Sequence, residues 1–199
     1  EPLYLRALTI AEKNLDKDYP TALFSLSDLG SIYLYQRRYR QAVKTLSRSL
    51  ALREKAVDKN EYVIANDLND LGSAYFSLYE YKEAETLFLR ALALREKILG
   101  LNNSKTVDVL FDLGSLYSDQ GLYKKSEQFL LRALALREKI LEPNHYKIGN
   151  LLNSIGVLYT RQGNYSKGES FYLRAISIFK NTGKLNQSLG NDLTYMYGK

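Results

Sequence analysis

The chain has 199 residues, 45% of them hydrophobic, and 28 Lys and Arg against 22 Asp and Glu, for a net charge of +6. That balance suits a folded protein rather than a disordered one, and no apolar run approaches the roughly 20 residues of a membrane helix. With no cysteine and a single histidine, His145, disulfides, thiolate metal sites and a multi-histidine metal site within one chain are excluded, and a reducing, cytoplasmic setting is expected.

The first residues, Leu3, Leu5 and Arg6-Ala7-Leu8, match Leu87, Leu89 and Arg90-Ala91-Leu92, 84 positions later. Residues 1–17 therefore read as the second helix of a partial repeat. The chain opens inside that helix at Glu1-Pro2 and reads as a piece of a longer array. Pro2 is tolerable in a first turn, where its missing N–H has no partner to lose. Asp18-Tyr19-Pro20-Thr21 then reads as a break, because proline biases the preceding residue away from the helical region and Thr21 can cap the next helix.

A first helix is predicted over Ala22–Arg37, with apolar positions at 22, 23, 26, 29, 30 and 33 on one face. A second helix runs from Tyr39 to about Val57. This pair recurs with a fixed spacing of 42. The stretch Leu26-Ser27-Asp28-Leu29-Gly30-Ser31-Ile32-Tyr33 returns as Leu68–Tyr75, Leu110–Tyr117 and Leu152–Tyr159. A period of this size signals a solenoid, in which each repeat packs on its neighbours. First helices are predicted over Tyr62–Leu78 and Lys105–Gln120, and second helices over Lys82–Leu99 and Lys124–Leu141. The repeats span 21–58, 62–100, 105–142 and 147–181 within one solenoid covering 1–199. Residues 185–199 read as a terminal helix, with Thr194 at the glycine position. Gly121 and Gly163 fall where first helices must stop, and Arg38 and Glu80 are taken to hold that place in the other repeats. The turns are short enough to force antiparallel helix pairs.

Within each copy, Leu-x2-Leu-Gly-x2-Tyr puts the marked residues on one helical face. Gly30, Gly72, Gly114 and Gly156 sit mid-helix, where glycine costs about 1 kcal/mol relative to alanine, so a helix packed too close for a side chain is expected at each. Nine residues after each tyrosine stands a small residue (Ala42, Ala84, Ser126, Gly168). A large one comes four later (Leu46, Phe88, Leu130, Tyr172), and a small one three after that (Ser49, Ala91, Ala133, Ala175).

This pattern resembles the tetratricopeptide repeat. Leucine replaces the tryptophan common at the first position, and the proline that usually ends the second helix is missing. The helix instead continues through Leu94-Arg95-Glu96-Lys97-Ile98-Leu99, which makes the repeat 42 residues long and similar to the kinesin-light-chain type. His145 and Pro20 match the His-Pro pair of that type, with Tyr146 replacing the proline after His145. The resemblance covers essentially the whole chain. It implies an all-α, right-handed α-α superhelix of antiparallel helix pairs, with first helices lining a concave groove.

The groove positions are then Phe24, Ser27, Ser31, Leu34 and Tyr35; Asn66, Asn69, Ser73, Phe76 and Ser77; Asp108, Phe111, Ser115, Ser118 and Asp119; and Asn150, Asn153, Val157, Thr160 and Arg161. Small residues between aromatics and amides suit an extended peptide or a helix. Asn66/Asn69 and Asn150/Asn153 are the sharpest feature, since asparagine is a mediocre helix former. Kinesin-light-chain repeats carry Leu-Asn-Asn here and use the amides on peptide backbone. Asn69 and Asn153 match the first Asn of that motif; Asp70 and Ser154 depart from the second. The competing reading is that these amides bond neighbouring repeats or solvent. Arg161 is the groove's only cation, opposed by Asp108 and Asp119. Ser27 and Ser31 stand where some tetratricopeptide proteins place the Lys and Asn that clamp a C-terminal carboxylate, so a chaperone-tail adaptor is disfavoured.

Basic residues concentrate on the second helices as Arg48/Arg53/Lys55, Arg90/Arg95/Lys97 and Arg132/Arg137/Lys139. They are expected to form stripes on the outer or edge surface. Aligned stripes could track nucleic-acid phosphates. However, each group includes a Glu (Glu54, Glu96, Glu138), and basic residues suit helix C-termini. Most of the 17 tyrosines, including Tyr33, Tyr75, Tyr117 and Tyr159, sit at core phase. No catalytic set appears. Asp28, Asp70 and Asp112 recur without an acid–base partner, and His145 is expected to pack or cap a loop. The reading is a non-enzymatic scaffold for a protein or peptide, with no cofactor and no membrane association. Self-association through open solenoid ends, a regulatory or sensor segment of a larger protein, and nucleic-acid binding are the other readings, the last disfavoured.

Overall fold

The computed structural model describes residues 15–56 and 59–182, with side chains from Leu23 onward, together with Arg6 and Thr9. The rest of the expected partial repeat at 1–14 and the expected terminal helix at 185–199 lie outside the described residues. Eight helices are described: α1 Leu15–Tyr35, α2 Tyr39–Lys55, α3 Glu61–Ser77, α4 Tyr81–Leu99, α5 Ser104–Asp119, α6 Tyr123–Ile140, α7 Tyr146–Arg161 and α8 Tyr165–Thr182. They fall into two compact units, residues 1–98 and 99–199. In the first unit α2 packs on α1 and α3; in the second α6 packs on α5 and α7, and α8 on α7. The expected break at Asp18–Thr21 is corrected: α1 runs through Pro20. An interior proline removes one helical hydrogen bond and crowds the preceding turn, and here it does not end the helix.

The four turns inside the pairs share one geometry. Arg38 N–H donates to Tyr33 C=O at 2.8 Å and Arg37 N–H to Leu34 C=O at 2.9 Å, and the same two bonds recur at Glu80/Tyr79, Leu122/Gly121 and Asn164/Gly163. This is the Schellman arrangement, which needs one residue in the left-handed region. That residue is Arg37 (φ 59°), Tyr79 (φ 63°), Gly121 (φ 74°) or Gly163 (φ 76°). The strained positions are thus Arg37 and Tyr79, one residue before the Arg38 and Glu80 expected. An L-residue costs about 1–2 kcal/mol in this region, partly offset because glycine is freer in the unfolded chain. Arg37→Gly is therefore expected to raise stability by up to about 1 kcal/mol, read as a higher urea midpoint. An unchanged or lower midpoint would contradict this. The starts of α3, α5 and α7 are capped by the side chains of Asn60, Asn103 and His145, which accept from Val63, Lys105 and Lys147 N–H, whereas α2 and α6 have no side-chain cap. His145 thus caps, through Nδ1 at 3.1 Å.

The mid-helix glycines are explained by contact. A Cβ on Gly30 would lie 2.4 Å from Leu46, on Gly72 2.8 Å from Phe88, on Gly114 2.5 Å from Leu130, and on Gly156 2.9 Å from Tyr172. Leu46, Phe88 and Leu130 are fully buried and Tyr172 nearly so. The large residue of each second helix therefore sits directly on the glycine of its own first helix. At the small positions, Ser126 donates to the Gly114 carbonyl at 2.7 Å, and a Cβ on Gly168 would crowd Thr160 and the Gly156 carbonyl. Tyr33, Tyr117 and Tyr159 are buried, whereas Tyr75 is half-buried. Phe129 packs on Tyr117 with ring centroids 5.4 Å apart, and Phe171 on Tyr159 at 5.5 Å. Tyr159 donates to Glu127, and Lys167 lies over its ring. Burial, and then the bond to Glu127, raise the Tyr159 phenol above its ordinary 10.0.

The expected outer stripes are corrected in part. Arg53, Arg95 and Arg137 are buried, at 7%, 4% and 5% exposure. Arg53 Nε donates to Asp67 at 3.0 Å and its Nη2 to Ser27 Oγ and the Leu23 carbonyl. Arg95 Nη2 donates to Asn66 Oδ1 at 3.2 Å. Arg137 pairs with Asp108 and donates to the Lys147 carbonyl. A guanidinium offers five donors in a fixed fork, which makes it the cation best suited to burial among several acceptors. Of the basic residues that stay exposed, Arg90 pairs with Glu54, Lys97 with Glu61 and Arg174 with Glu138. Among the described residues no helix is long and apolar enough to cross a membrane.

Candidate functional site

The first helices carry the expected groove positions, and each unit presents its own set. In the first unit these come from α1 and α3. Phe24 is 58% exposed with the Arg53 guanidinium over its ring at 5.4 Å, and Tyr35 is 92% exposed. Phe76 is half-buried and packs against Tyr81 at 6.1 Å.

Ser27 has a different place from the one expected. Its hydroxyl donates to Asp67 at 2.7 Å, lies 3.0 Å from Ser49 Oγ and accepts from Arg53. It is thus committed to a polar cluster between helices. Ser31 donates to Asp70 at 2.7 Å and so ties α1 to α3. Ser73 and Ser77 donate to carbonyls one turn back, a local use common for helical serines.

The four asparagines divide by environment. Asn66 is held by Arg95. Asn69 Oδ1 is buried and accepts no hydrogen bond from any described residue, and Asn153 Oδ1 is buried as well. Asn150 is exposed, and no described residue bonds its side chain. The difference arises from register. Phe24, Asn66, Asp108 and Asn150 share one repeat position, and Arg53, Arg95, Arg137 and Phe179 share another. The arginine reaches its partner in the first three repeats. Phe179 instead packs against Gly149, whose Cβ would lie 2.8 Å away. Asn150 is thereby left facing solvent.

In the second unit α5 and α7 enclose a cleft of about 120 Å³, lined by Ser115, Ser118, Asp119, Ser154, Val157 and Arg161 over Leu130. Arg161 spans it, donating to Asp119 at 2.6 Å and Ser118 Oγ at 3.2 Å. Asp108 does not oppose Arg161 as expected: it pairs with Arg137, and Lys147 lies 3.5 Å from its other oxygen. Phe111 is half-buried. Ser154 and Leu130 are the lining residues that the groove reading missed. Leu130 could have been found as the large residue opposite Gly114, since it reaches the cleft floor through the gap the glycine leaves. The cleft offers an apolar floor, hydroxyl walls and one neutralised charge pair, which suits a short polar-flanked aliphatic group.

Residues 1–55, 63–139 and 113–181 match the family model described as Tetratricopeptide repeat. Comparison with curated proteins gives no match. Solved structures share the fold. BtubC (BKLC) from P. vanneervenii is 22% identical over 93% of this chain and 74% of its own, with a TM-score of 0.79. A Podosopora anserina protein of the kinesin light chain type, with nearly identical TPR-like repeats, is 19% identical over 92% and 87%, with a TM-score of 0.77. A Rap protein complexed with Competence and Sporulation Factor is 19% identical over 89% of this chain and 48% of its own, with a TM-score of 0.76.

Proposed function

Because the chain belongs to the tetratricopeptide repeat family, an all-α class of right-handed α-α superhelices, we propose that it is a protein-interaction scaffold that binds a peptide or protein segment on its first helices. The observation that carries this reading is the α5–α7 cleft with Asn150 exposed on the same helix as its Val157 and Arg161 walls. An amide free of internal partners can bond a main chain in both directions. The cleft beside it takes a side chain, so the two together provide alternating main-chain and side-chain contacts. Phe24, Tyr35 and Phe76 supply apolar contacts on the first unit's own first helices. A Rap protein of like fold bound to a factor supports the same use here. Burial of Arg53, Arg95 and Arg137 and neutralisation of Arg90, Lys97 and Arg174 by acids argue against a phosphate track, because counterion release needs exposed, unneutralised charge.

The test is a selection of random peptides against the whole chain, with titration of a selected peptide. Asn150→Ala and Val157→Phe are each expected to weaken it by roughly tenfold or more, about 1.4 kcal/mol. Arg132→Ala, an exposed change on α6, is expected to leave affinity unchanged. Affinity that is lost at Arg132 and kept at Asn150 and Val157 would place binding on the second helices and sink the proposal.

A further inference from the structure

Ser115 and Ser154, on facing walls of the α5–α7 cleft, occupy the repeat positions that Ser31 and Asp70 hold on α1 and α3. In the first unit Asp70 reaches across and accepts from Ser31 at 2.7 Å. In the second unit the shorter Ser154 turns back along its own helix and donates to the Asn150 carbonyl at 3.2 Å. Ser115 is then left without a hydrogen bond to any described residue. The position holds Asp28, Asp70 and Asp112 in the other three copies, so Ser154 is the departure. A second exchange widens the same slot: Ser118 stands where earlier copies have Leu34 and Phe76.

Size and charge limit what the open slot can take. At about 120 Å³ it falls short of the roughly 150 Å³ that holds a benzene ring, and at about 30 Å³ for each water-sized group it holds roughly four carbons. Its floor is Leu130 and one wall is Val157, both apolar. Its single ion pair is internal, because Arg161 Nη1 already donates to Asp119 and Ser118. A charged side chain would have to break that pair to gain a partner, and burying a charge without one is costly. The polar atoms left over suit a main chain instead. Arg161 Nε and Nη2 and the Ser115 hydroxyl make no hydrogen bond with any described residue, and each can donate to a peptide carbonyl.

We propose that Ser154 is the specificity-determining residue of the peptide site: it leaves open between α5 and α7 the gap that Asp70 bridges between α1 and α3, and that gap takes one uncharged, branched aliphatic side chain of the bound segment. The inference rests on the reading of the α5–α7 cleft as a peptide site. It adds which side chain the cleft accepts and which residue of this chain decides that.

The test uses the whole chain and a peptide selected against it. Ser154→Asp restores the residue that the other three copies carry, so the fold should tolerate it, as an unchanged or higher melting temperature would confirm. Affinity for the peptide is expected to fall about tenfold or more. In a Ser115→Ala background the same substitution has no hydroxyl to bridge to, and its cost should shrink to about threefold or less. In the wild-type complex, nuclear Overhauser contacts to the Val157 and Leu130 methyls should come from an isopropyl or isobutyl group of the peptide. Undiminished affinity of Ser154→Asp, an equal loss in both backgrounds, or contacts from an aromatic or charged side chain would each overturn the proposal. Val157→Phe keeps the two failures apart. If it weakens binding and Ser154→Asp does not, this inference alone fails. If it too leaves binding intact, the peptide-site reading fails and takes this inference with it.

Discussion

Asp67→Ala is expected to destabilise the first unit by about 3–5 kcal/mol. Asp67 is 2% exposed and accepts from Ser27 and Ser49 at 2.7 Å and from Arg53 at 3.0 Å. Removing it leaves a guanidinium at 7% exposure with no carboxylate, and an uncompensated buried charge costs far more than the pair is worth. The counter-experiment separates those quantities. Replacing both partners, as Arg53→Met with Asp67→Leu, removes the charge and fills similar volume, so most of the loss should return. Urea unfolding of both variants provides the check. A double variant no more stable than Asp67→Ala would show that the cost lies in packing. A loss below about 1 kcal/mol for the single variant would show that the pair behaves as a surface one.

Gly114→Ala is the second large effect. The added methyl would lie 2.5 Å from Leu130 Cγ and Cδ2 and 3.3 Å from the Leu130 nitrogen. Overpacking of this kind costs about 1–3 kcal/mol. Alanine's better helix propensity, worth about 1 kcal/mol, offsets only part of it. The coupling is the sharper quantity. Leu130→Ala alone should cost about 2–5 kcal/mol, but with Gly114→Ala the new methyl occupies part of the vacated space. The double variant should therefore be more stable than the sum of the singles by at least about 0.5 kcal/mol. Additive losses would mean that the glycine is not there to admit Leu130.

These two sites differ in how far the sequence shows them. Gly114 and Leu130 are legible because a glycine in mid-helix and a large residue 16 later recur with the period. Local propensity forbids the first unless the second is close. Arg53 is not legible in the same way. It lies within Arg53-Glu54-Lys55, which reads as a solvated end of a helix, and its partners Ser27 and Asp67 are on two other helices. Whether a long side chain turns inward depends on acceptors that the periodic pattern does not mark. The left-handed turn positions show a milder version of the problem. Gly121 and Gly163 mark the turn, but Arg37 and Tyr79 adopt it at a cost the sequence conceals. Pro20 is the reverse case, a strong local stop signal within α1.

The expected groove positions divide in the same way. Ser115, Ser118, Asp119, Val157 and Arg161 line the α5–α7 cleft because helical phase alone places them there. The asparagines are legible as unusual residues, but their roles are not. Asn66 answers to Arg95, and Asn150 stays open because Phe179 stands where the other repeats have arginine. Reading an amide as available therefore requires knowing which arginine reaches it from the paired helix.

Ligand is predicted to bind where α5 faces α7. The most direct measurement is a methyl NMR titration of the whole chain with a selected peptide, tracking four side chains of the second unit. Val157 and Leu130 line the cleft, while Leu131 and Leu173 are exposed on the second helices α6 and α8. Saturable shifts are predicted at Val157 and Leu130, with Leu131 and Leu173 unmoved. Shifts at Leu131 and Leu173 with Val157 and Leu130 unmoved would contradict it.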